Sequence, residues 1–360
     1  MTAAANPTIF GTGLIALDLV MSVEPDAPIR SWAGGTCGNV LSILAYLGWN
    51  SFPIARMNGD PASQRVKADM KRWGVRMDFA GCGPQCHTPI VIQRIRKGRD
   101  GIPTHRFSWS CPRCGKWLPG FRAVTKDAVQ TVAPSLNGAS VFFIDRLSRA
   151  GIELARHASE LGALVVFEPS SKSAPKLFAE ALKVAHVVKY AAQRMKAIEG
   201  VMGKGSSVLA EVQTLGSDGL RYRHRFGDGV SAWVKLDAVR ASTLADTCGA
   251  GDWCTAGLIA KSATGGLKGF KKGGEEGIRG ALRFGQTLAA WNCGFEGARG
   301  GMYAVARETF ERNIEDLIKG RASSTALKPT LVRTATVSCP ACPSARRPRR
   351  MQLTRTRRAA

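Results

Sequence analysis

An aspartate follows a run of small residues in the segment Asp246-Thr-Cys-Gly-Ala-Gly-Asp252, inside which a helical apolar pattern begins. Backbone N–H groups at the start of a helix are unsatisfied and lie at the positive end of its dipole, and small residues let an anion reach them. A carboxylate in that first turn suits a base that takes a hydroxyl proton during phosphoryl transfer. From spacing alone, an acidic residue that merely stabilises the helix start is an equally good interpretation.

Strand and helix patterns alternate along most of the chain. A β-rich apolar run over residues 8–20 is followed by Gly34-Gly35 and by apolar residues at helical spacing over 40–47, and the alternation resumes over 139–167. Such alternation is typical of a parallel sheet with crossover helices. We therefore predict a doubly wound α/β domain.

The alternation is interrupted between about residues 75 and 124. Two strand-like runs, Ile90–Arg96 and His105–Trp109, flank the turn Gly98-Arg-Asp-Gly101. This order is typical of a β-hairpin. We predict a small β insertion that projects from the main sheet.

The charge of the chain is strongly positive and uneven. There are 51 Lys and Arg residues against 27 Asp and Glu residues, a formal net charge of +24 over 360 residues. Residues 321–360 contain ten basic and no acidic residues, which leaves +14 on the remainder. Such a field favours polyanions or phosphorylated substrates. The tail is interpreted either as a solvated, disordered segment or as a weak polyanion-binding one.

Composition excludes several classes of protein. Hydrophobic residues make up 44% of the chain, which is enough for a packed core and excludes wholesale disorder. No apolar run approaches the roughly 18 residues of a membrane span. The first ten residues lack the pattern of a secretory signal. We therefore expect a soluble, cytoplasmic protein without membrane partners.

Ten cysteines in such a chain indicate metal binding or chemistry more than a disulfide framework. Cys111-Pro-Arg-Cys114-Gly has the form of a zinc knuckle, and Cys82 and Cys86 form a pair upstream. Both pairs flank the predicted hairpin, so one structural Zn²⁺ could join its base. Four reduced thiols without metal are the alternative, and the sequence does not decide between them.

The segment Asp246–Asp252 resembles the signature of the ribokinase-like carbohydrate kinases, the PfkB family. Gly34-Gly35 followed by Asn39 is similar to a second landmark of that family, and Thr214-Leu-Gly-Ser-Asp-Gly219 to its nucleotide-site turn. Asn58-Gly-Asp60 also fits the N-terminal half. The resemblance covers about residues 8–318. Because four landmarks occur in the family's order, it is much more specific than a lone glycine turn.

The resemblance implies a ribokinase-like three-layer kinase domain over residues 1–320, with a β lid formed by residues 14–33 and 75–124 and a tail over 321–360. It also implies ATP-dependent phosphorylation of an alcohol group on a sugar or sugar-like molecule, with Mg²⁺ bound to the ATP phosphates. Carried over residue by residue, it implies Asp252 as base, the amides of Gly249, Ala250 and Gly251 as anion hole, Asp18, Gly34, Gly35 and Asn39 at the substrate, and Thr214, Gly216, Gly219 and Asn292 at the nucleotide. Turn and cap chemistry is the alternative role for the substrate residues, and a helix C-cap is the alternative for Asn292.

One departure from the family concerns the segment after the strand near Val187. The family usually has an Asn-x-x-Glu motif there, whereas this chain has Lys189-Tyr-Ala-Ala-Gln-Arg194 and no acidic residue before Glu199. The triphosphate is then held by Lys189 or Arg194 directly, or the metal is arranged differently.

Other functions remain open at this level. A nucleoside kinase of the same fold is not distinguished from a sugar kinase, because lid and pocket shape decide the substrate. A ligand-sensing or nucleic-acid-associated relative with weak catalysis is a further alternative, supported by the altered motif and the Arg-rich tail. The sequence also leaves open whether the protein forms a homodimer.

Overall fold

The computed structural model of the chain describes residues 6–22, 29–57, 59–81, 86–98, 103–112, 114–172, 174–195, 198 and 200–321. All but the first residue of the predicted tail therefore lies outside the described residues. The strands, in chain order, are β1 (Thr8–Thr12), β2 (Ala16–Met21), β3 (Arg30–Gly34), β4 (Asn50–Ile54), β5 (Ile90–Lys97), β6 (Pro103–Ser108), β7 (Val141–Ile144), β8 (Leu164–Phe167), β9 (Val187–Ala191), β10 (Ala210–Thr214), β11 (Leu220–His224) and β12 (Val234–Leu236).

Eight of these strands form one large sheet in the order β12-β11-β10-β9-β8-β7-β1-β4. Neighbours from β4 to β10 run parallel, and β11 and β12 are antiparallel additions at one edge. The helices are α1 (Thr36–Tyr46), α2 (Pro61–Arg72), α3 (Lys126–Val132), α4 (Arg149–Glu160), α5 (Pro175–Leu182), α6 (Ala250–Ser262), α7 (Gly266–Asn292), α8 (Gly300–Ala304) and α9 (Arg307–Ile318). The predicted alternation of strands and helices is thus observed.

The central strands contribute side chains to two hydrophobic cores, one on each face of the sheet. In β7, Val141 and Phe143 belong to the core that also contains residues of α1, α2, α6, α7 and α9. Their neighbours Phe142 and Ile144 belong to the core that contains residues of α3, α4 and α5. Because successive side chains of a strand point to opposite faces, a strand that is apolar throughout requires helices on both faces. The helix–sheet–helix arrangement follows from that composition.

The predicted insertion forms part of a second sheet with the order β3-β2-β5-β6. The β5–β6 hairpin is antiparallel, as predicted, and β5 pairs in parallel with β2. The β-rich run over residues 8–20 is therefore two strands and not one, because Gly13 interrupts it and β1 and β2 enter different sheets. The second sheet draws its strands from the two ranges predicted for the lid.

Local sequence explains where several helices begin. Asp60 caps α2 by accepting a hydrogen bond from the Ser63 amide, and Pro61 occupies the first helical position. Ser148 caps α4 in the same way through the Gly151 amide.

Within the described part of the chain, no helix is long and apolar enough to cross a membrane.

Candidate active site

The backbone conformation of Gly249 determines how the chain enters α6. This residue has φ of 78°, in the left-handed region, and a Cβ there would overlap the carbonyl oxygen of Ala298. The amide of Ala250 has the Thr247 carbonyl at 3.3 Å, whereas the amides of Gly249 and Gly251 have no acceptor among the described residues. These partly exposed amides at the positive end of α6 can bind an anion.

Asp252 lies in the first turn of α6, and a hydrogen bond joins it to the N-terminal half of the chain. Its Oδ2 accepts a 2.7 Å hydrogen bond from the side-chain amide of Asn39 at the start of α1. Burial, followed by repulsion from Glu168, raises the pKa of Asp252 to about 7, although the hydrogen bond from Asn39 acts in the opposite direction. A carboxyl group that titrates near neutral pH suits general-base chemistry.

The predicted substrate residues Asp18, Gly34 and Gly35 lie together where β2 and β3 adjoin the start of α1. Asp18 is only 8% exposed and lies so close to Gly34 that a Cβ there would overlap its carboxylate. Burial raises the pKa of Asp18 to about 7, against the opposing charge of Arg299 and a hydrogen bond from the Gly35 backbone. After the larger effect of burial, Asp18 and Asp252 both raise the pKa of the Cys248 thiol, so both carboxylates lie near Gly249-Ala-Gly251, the glycine turn.

Arg299 is a buried residue of the site that the sequence analysis missed. Its Nε donates a 3.1 Å hydrogen bond to Oδ1 of Asn39, and its Nη2 pairs with Oδ2 of Asp69 at 3.0 Å. Only 1% of its side chain is exposed. Because the other end of the Asn39 amide donates to Asp252, Arg299 fixes which way that amide points.

Asp246, the first residue of the signature segment, connects the second sheet to the glycine turn. Its carboxylate accepts hydrogen bonds from Gln93 on β5 at 2.8 Å, from the Gly297 amide at 2.9 Å and from the Cys248 amide at 2.9 Å. Nδ1 of His105 on β6 lies 3.6 Å from the same carboxylate. Asp246 is 1% exposed, so it positions the turn and does not face the substrate.

The predicted nucleotide turn lies at the end of β10. Thr214 is the last residue of that strand, and Gly216 and Gly219 have φ of 66° and 88°. A Cβ on Gly219 would overlap the Leu236 carbonyl oxygen, so the turn requires glycine there. The Ala192 amide donates to the Thr214 carbonyl at 2.9 Å, which places this turn beside the segment that follows β9.

Asn292 is fully buried, and its side chain bonds to the protein itself. Its Nδ2 donates to the Ala298 carbonyl at 3.1 Å, and its Oδ1 accepts from the Gly301 amide at 3.2 Å. It leaves no exposed surface for a ligand. In this structure, Asn292 shapes the loop that supports Gly249, and its predicted contact with the nucleotide has no support in the geometry.

Three further polar residues follow or lie within buried strands of the main sheet. Lys189 on β9 is 1% exposed and donates to Oε1 of Glu168 at 2.9 Å and to the Gly251 carbonyl at 3.1 Å. Oε2 of Glu168 accepts from Thr255 at 2.5 Å. Although burial opposes its charge, Glu168 holds the pKa of Lys189 above the ordinary value. This network joins β9 and the end of β8 to the first turns of α6.

Asp145 directly follows β7. Its carboxylate accepts hydrogen bonds from the Leu14 amide at 2.9 Å and from the Arg146 side chain at 2.8 Å. Burial raises its pKa to about 7. Asp145 and Glu168 each follow a buried strand directly. Because parallel strands end at one edge of a sheet, where ligands bind, that position could have identified them.

Among the described residues, the side chains around the glycine turn and the altered motif do not fit a magnesium ion held by the protein. Mg²⁺ requires oxygen ligands, yet both oxygens of Glu168 are engaged by Lys189 and Thr255, and the altered motif ends in the cation Arg194. Glu199 lies outside the described residues. Within the described ranges, no group of three His, Cys, Asp or Glu side chains is arranged to hold a metal ion.

That finding also bears on the predicted zinc site. Cys86, Cys111 and Cys114 are described and do not form such a group, while Cys82 lies outside the described residues. The chain turns back on itself here, with the Cys111 amide bonded to the Lys116 carbonyl and the Gly115 amide to the Cys111 carbonyl, and these are ordinary backbone turn bonds.

Comparison with solved structures shows the same fold. A fructokinase with bound ATP from Xylella fastidiosa has a TM-score of 0.63 at 18% identity, covering 87% of this chain and 98% of that one. A Burkholderia thailandensis nucleoside kinase in complex with inosine has a TM-score of 0.61 at 18% identity, covering 87% and 99%. An Arabidopsis thaliana ribokinase complexed with ribose and ATP has a TM-score of 0.60 at 16% identity, covering 86% and 99%.

No curated protein sequence matches the chain. Residues 25–303, however, match the family described as pfkB family carbohydrate kinase. The matched segment spans most of the chain and contains Gly34-Gly35 with Asn39, the turn at Gly216 and the glycine turn with Asp252. The ribokinase-like fold expected from the sequence is confirmed, and the chain belongs to the PfkB family of carbohydrate kinases.

Proposed function

We propose that the protein transfers the γ-phosphoryl group of ATP to an alcohol group of a sugar or sugar-like molecule, with Asp252 as the base. The observation that carries this proposal is the position of Asp252 at a helix start whose Gly249 and Gly251 amides have no acceptor among the described residues. An anion site and a proton acceptor are thereby adjacent. The ATP named in the fructokinase and ribokinase structures supports ATP as the donor.

In the proposed reaction, Oδ1 or Oδ2 of Asp252 accepts the proton of the substrate hydroxyl as that oxygen attacks the γ-phosphorus. A new O–P bond forms, and the bond between the γ-phosphorus and the bridging oxygen breaks, so ADP leaves with the electron pair. The amides of Gly249, Ala250 and Gly251 stabilise the charge on the transferred group. Because Ala250 also has the Thr247 carbonyl as a weak acceptor, the two glycine amides are the principal donors.

Asp18 is proposed to bind the substrate hydroxyls, together with the second N–H of the Asn39 amide, whose first N–H donates to Asp252. Gly34 has no side chain, which leaves room for the Asp18 carboxylate at the second sheet. A buried carboxylate that accepts two hydroxyl bonds favours substrates with neighbouring alcohol groups. Sugars and the ribose of a nucleoside share this chemistry, and the inosine-bound nucleoside kinase supports including nucleosides in the substrate class.

The second sheet is proposed to act as the lid that excludes water from the transfer. It carries Asp18 on β2, and Gln93 on β5 bonds to Asp246 beside the glycine turn. Closure of the lid over bound substrate would therefore change the position of Asp246, and through Asp246 the backbone of the anion site. Thr214, Gly216 and Gly219 are proposed to line the nucleotide site, whereas Asn292 supports the loop behind Gly249.

The test is a panel of sugars and nucleosides assayed for ADP formation and for the phosphorylated product. We expect one class to be phosphorylated, and Asp252→Asn to lower kcat by about 10²- to 10⁴-fold, as for the loss of a general base. Asp228→Asn, at an exposed residue, is the matched control. Unchanged turnover in Asp252→Asn would refute the assigned base. Absence of phosphorylation with every substrate would favour the ligand-sensing alternative.

A further inference from the structure

Lys189 and Arg194 lie in the segment where the family usually has Asn-x-x-Glu, and their side chains differ in exposure. The ammonium group of Lys189 is enclosed, with only 1% of the side chain exposed. It is satisfied by Glu168 and by the Gly251 carbonyl. Lys189 therefore neutralises Glu168 and supports α6, and it has no free surface for a phosphate group.

Arg194 is exposed, and the turn that carries it lies beside the nucleotide turn. It follows β9 in a tight turn, with its amide bonded to the Ala191 carbonyl at 3.0 Å. The preceding Ala192 amide bonds to Thr214, and the Gln193 side chain lies against Gly216, 3.0 Å from where a Cβ would stand. The turn that carries Arg194 is thus fastened to the proposed nucleotide site.

The charge of the Arg194 guanidinium group also affects residues at the glycine turn. Its charge lowers the pKa of both Asp252 and Cys248, which flank the glycine turn, against the larger effect of burial. Arg194 forms no ion pair with a carboxylate in the part of the chain that the structure describes. Arg194 is therefore a cation within electrostatic reach of Asp252 that has no carboxylate partner among the described residues.

We propose that Arg194 binds the triphosphate of the nucleotide directly, so that ATP binds to this protein without a metal ion held by protein side chains. This inference rests on the proposed function, because it concerns the same nucleotide site. A guanidinium group offers a planar fork that matches two phosphate oxygens. A glutamate at the same position would repel the phosphates and would need a cation between them.

Equilibrium binding of ATP, ADP and AMP by calorimetry, in EDTA and in excess Mg²⁺, tests the proposal on the full chain. We expect the wild-type protein to bind ATP in EDTA, and Arg194→Gln to weaken that binding by about tenfold or more, as for the loss of one charge-assisted bond. AMP binding should change little, because AMP lacks the outer phosphates. Arg194→Glu should bind ATP only when Mg²⁺ is present.

Arg312→Gln, an exposed substitution on α9, is the control for loss of one positive charge. Equal binding of metal-free ATP by wild type and Arg194→Gln overturns the proposal, and so does a wild-type protein that binds ATP only with Mg²⁺. Either result leaves the kinase assignment intact if the substrate panel is phosphorylated. Failure to bind ATP under both conditions overturns the proposed function together with this inference.

Discussion

The side-chain amide of Asn39 donates a 2.7 Å hydrogen bond to Oδ2 of Asp252, although the two residues are 213 positions apart in the sequence. This bond joins the start of α1, which adjoins the substrate residues, to the start of α6, which carries the anion site. Because an amide donor stabilises the ionised carboxylate, Asn39 lowers the pKa of the base that burial raises. A substrate that engages Asn39 would therefore also affect the base.

The pH dependence of turnover follows from this balance. Since Asp252 has a pKa of about 7 and must be ionised to accept a proton, kcat/KM should rise about tenfold per pH unit below 7 and level off above it. Asn39→Leu removes the donor and should move the profile to higher pH. Steady-state rates between pH 5 and 9 measure both. A wild-type profile that is flat across this range would contradict the assignment.

Much of the site was predictable from the sequence, because its main motifs are short continuous segments of the chain. The segment around Asp252 and the pair Gly34-Gly35 have types and spacings that the chemistry itself requires, so a reader of the sequence can find them. The cores were predictable too, because apolar strands such as β7 specify helices on both faces.

The remaining site residues were not predictable because their roles depend on long-range contacts. Arg299 resembles any basic residue in a glycine-rich loop until the fold brings it 3.1 Å from Asn39, 260 positions away. The position of Asn292 in the sequence is compatible with a nucleotide contact or with a helix C-cap, whereas in the fold it is buried and bonds to the loop over residues 298–301. Burial of a polar side chain cannot be deduced from its neighbours in sequence.

The chain from Arg299 through Asn39 to Asp252 makes Arg299 a positioning residue. Arg299→Lys keeps the charge beside Asp69 but loses the donor to Asn39, so kcat/KM should fall about tenfold, the equivalent of one charged hydrogen bond. The matched control is Arg312→Lys on α9. The double variant with Asn39→Leu should lose little more than Asn39→Leu alone, because both act through one amide. Fully additive losses would show that Arg299 acts independently of Asn39.

Gly249 and Gly251 provide a matched pair for the glycine turn. Gly249→Ala should destabilise the protein by about 2 kcal/mol or more, because the left-handed φ of 78° is strained for alanine and its Cβ would overlap the Ala298 carbonyl. Gly251→Ala meets only ordinary contacts, the nearest at 3.8 Å, and should stay within about 0.5 kcal/mol of wild type. Urea denaturation compares them. Equal stability of the two variants would mean that the turn does not require its conformation.

The raised pKa of Asp252 also predicts a conflict between function and stability. Because its pKa of about 7 in the folded state exceeds the ordinary value of 3.8, the native state binds more protons than the unfolded state between pH 4 and 7, and stability falls as pH rises through that window. Asp252→Asn removes this effect. It should therefore be more stable than wild type at pH 8 by at least about 1 kcal/mol, roughly one pKa unit, and no more stable at pH 4.

Thermal or urea unfolding of wild type, Asp252→Asn and the exposed control Asp228→Asn, at pH 4 and at pH 8, measures this difference. The control should show no pH-dependent gain, because its carboxylate is exposed in the folded state as in the unfolded one. A gain for Asp252→Asn that is the same at both pH values would mean that packing, and not ionisation, is responsible. A loss at pH 8 would mean that the ionised carboxylate is stabilised by its surroundings, which would leave it too weak a base to accept the substrate proton near neutral pH.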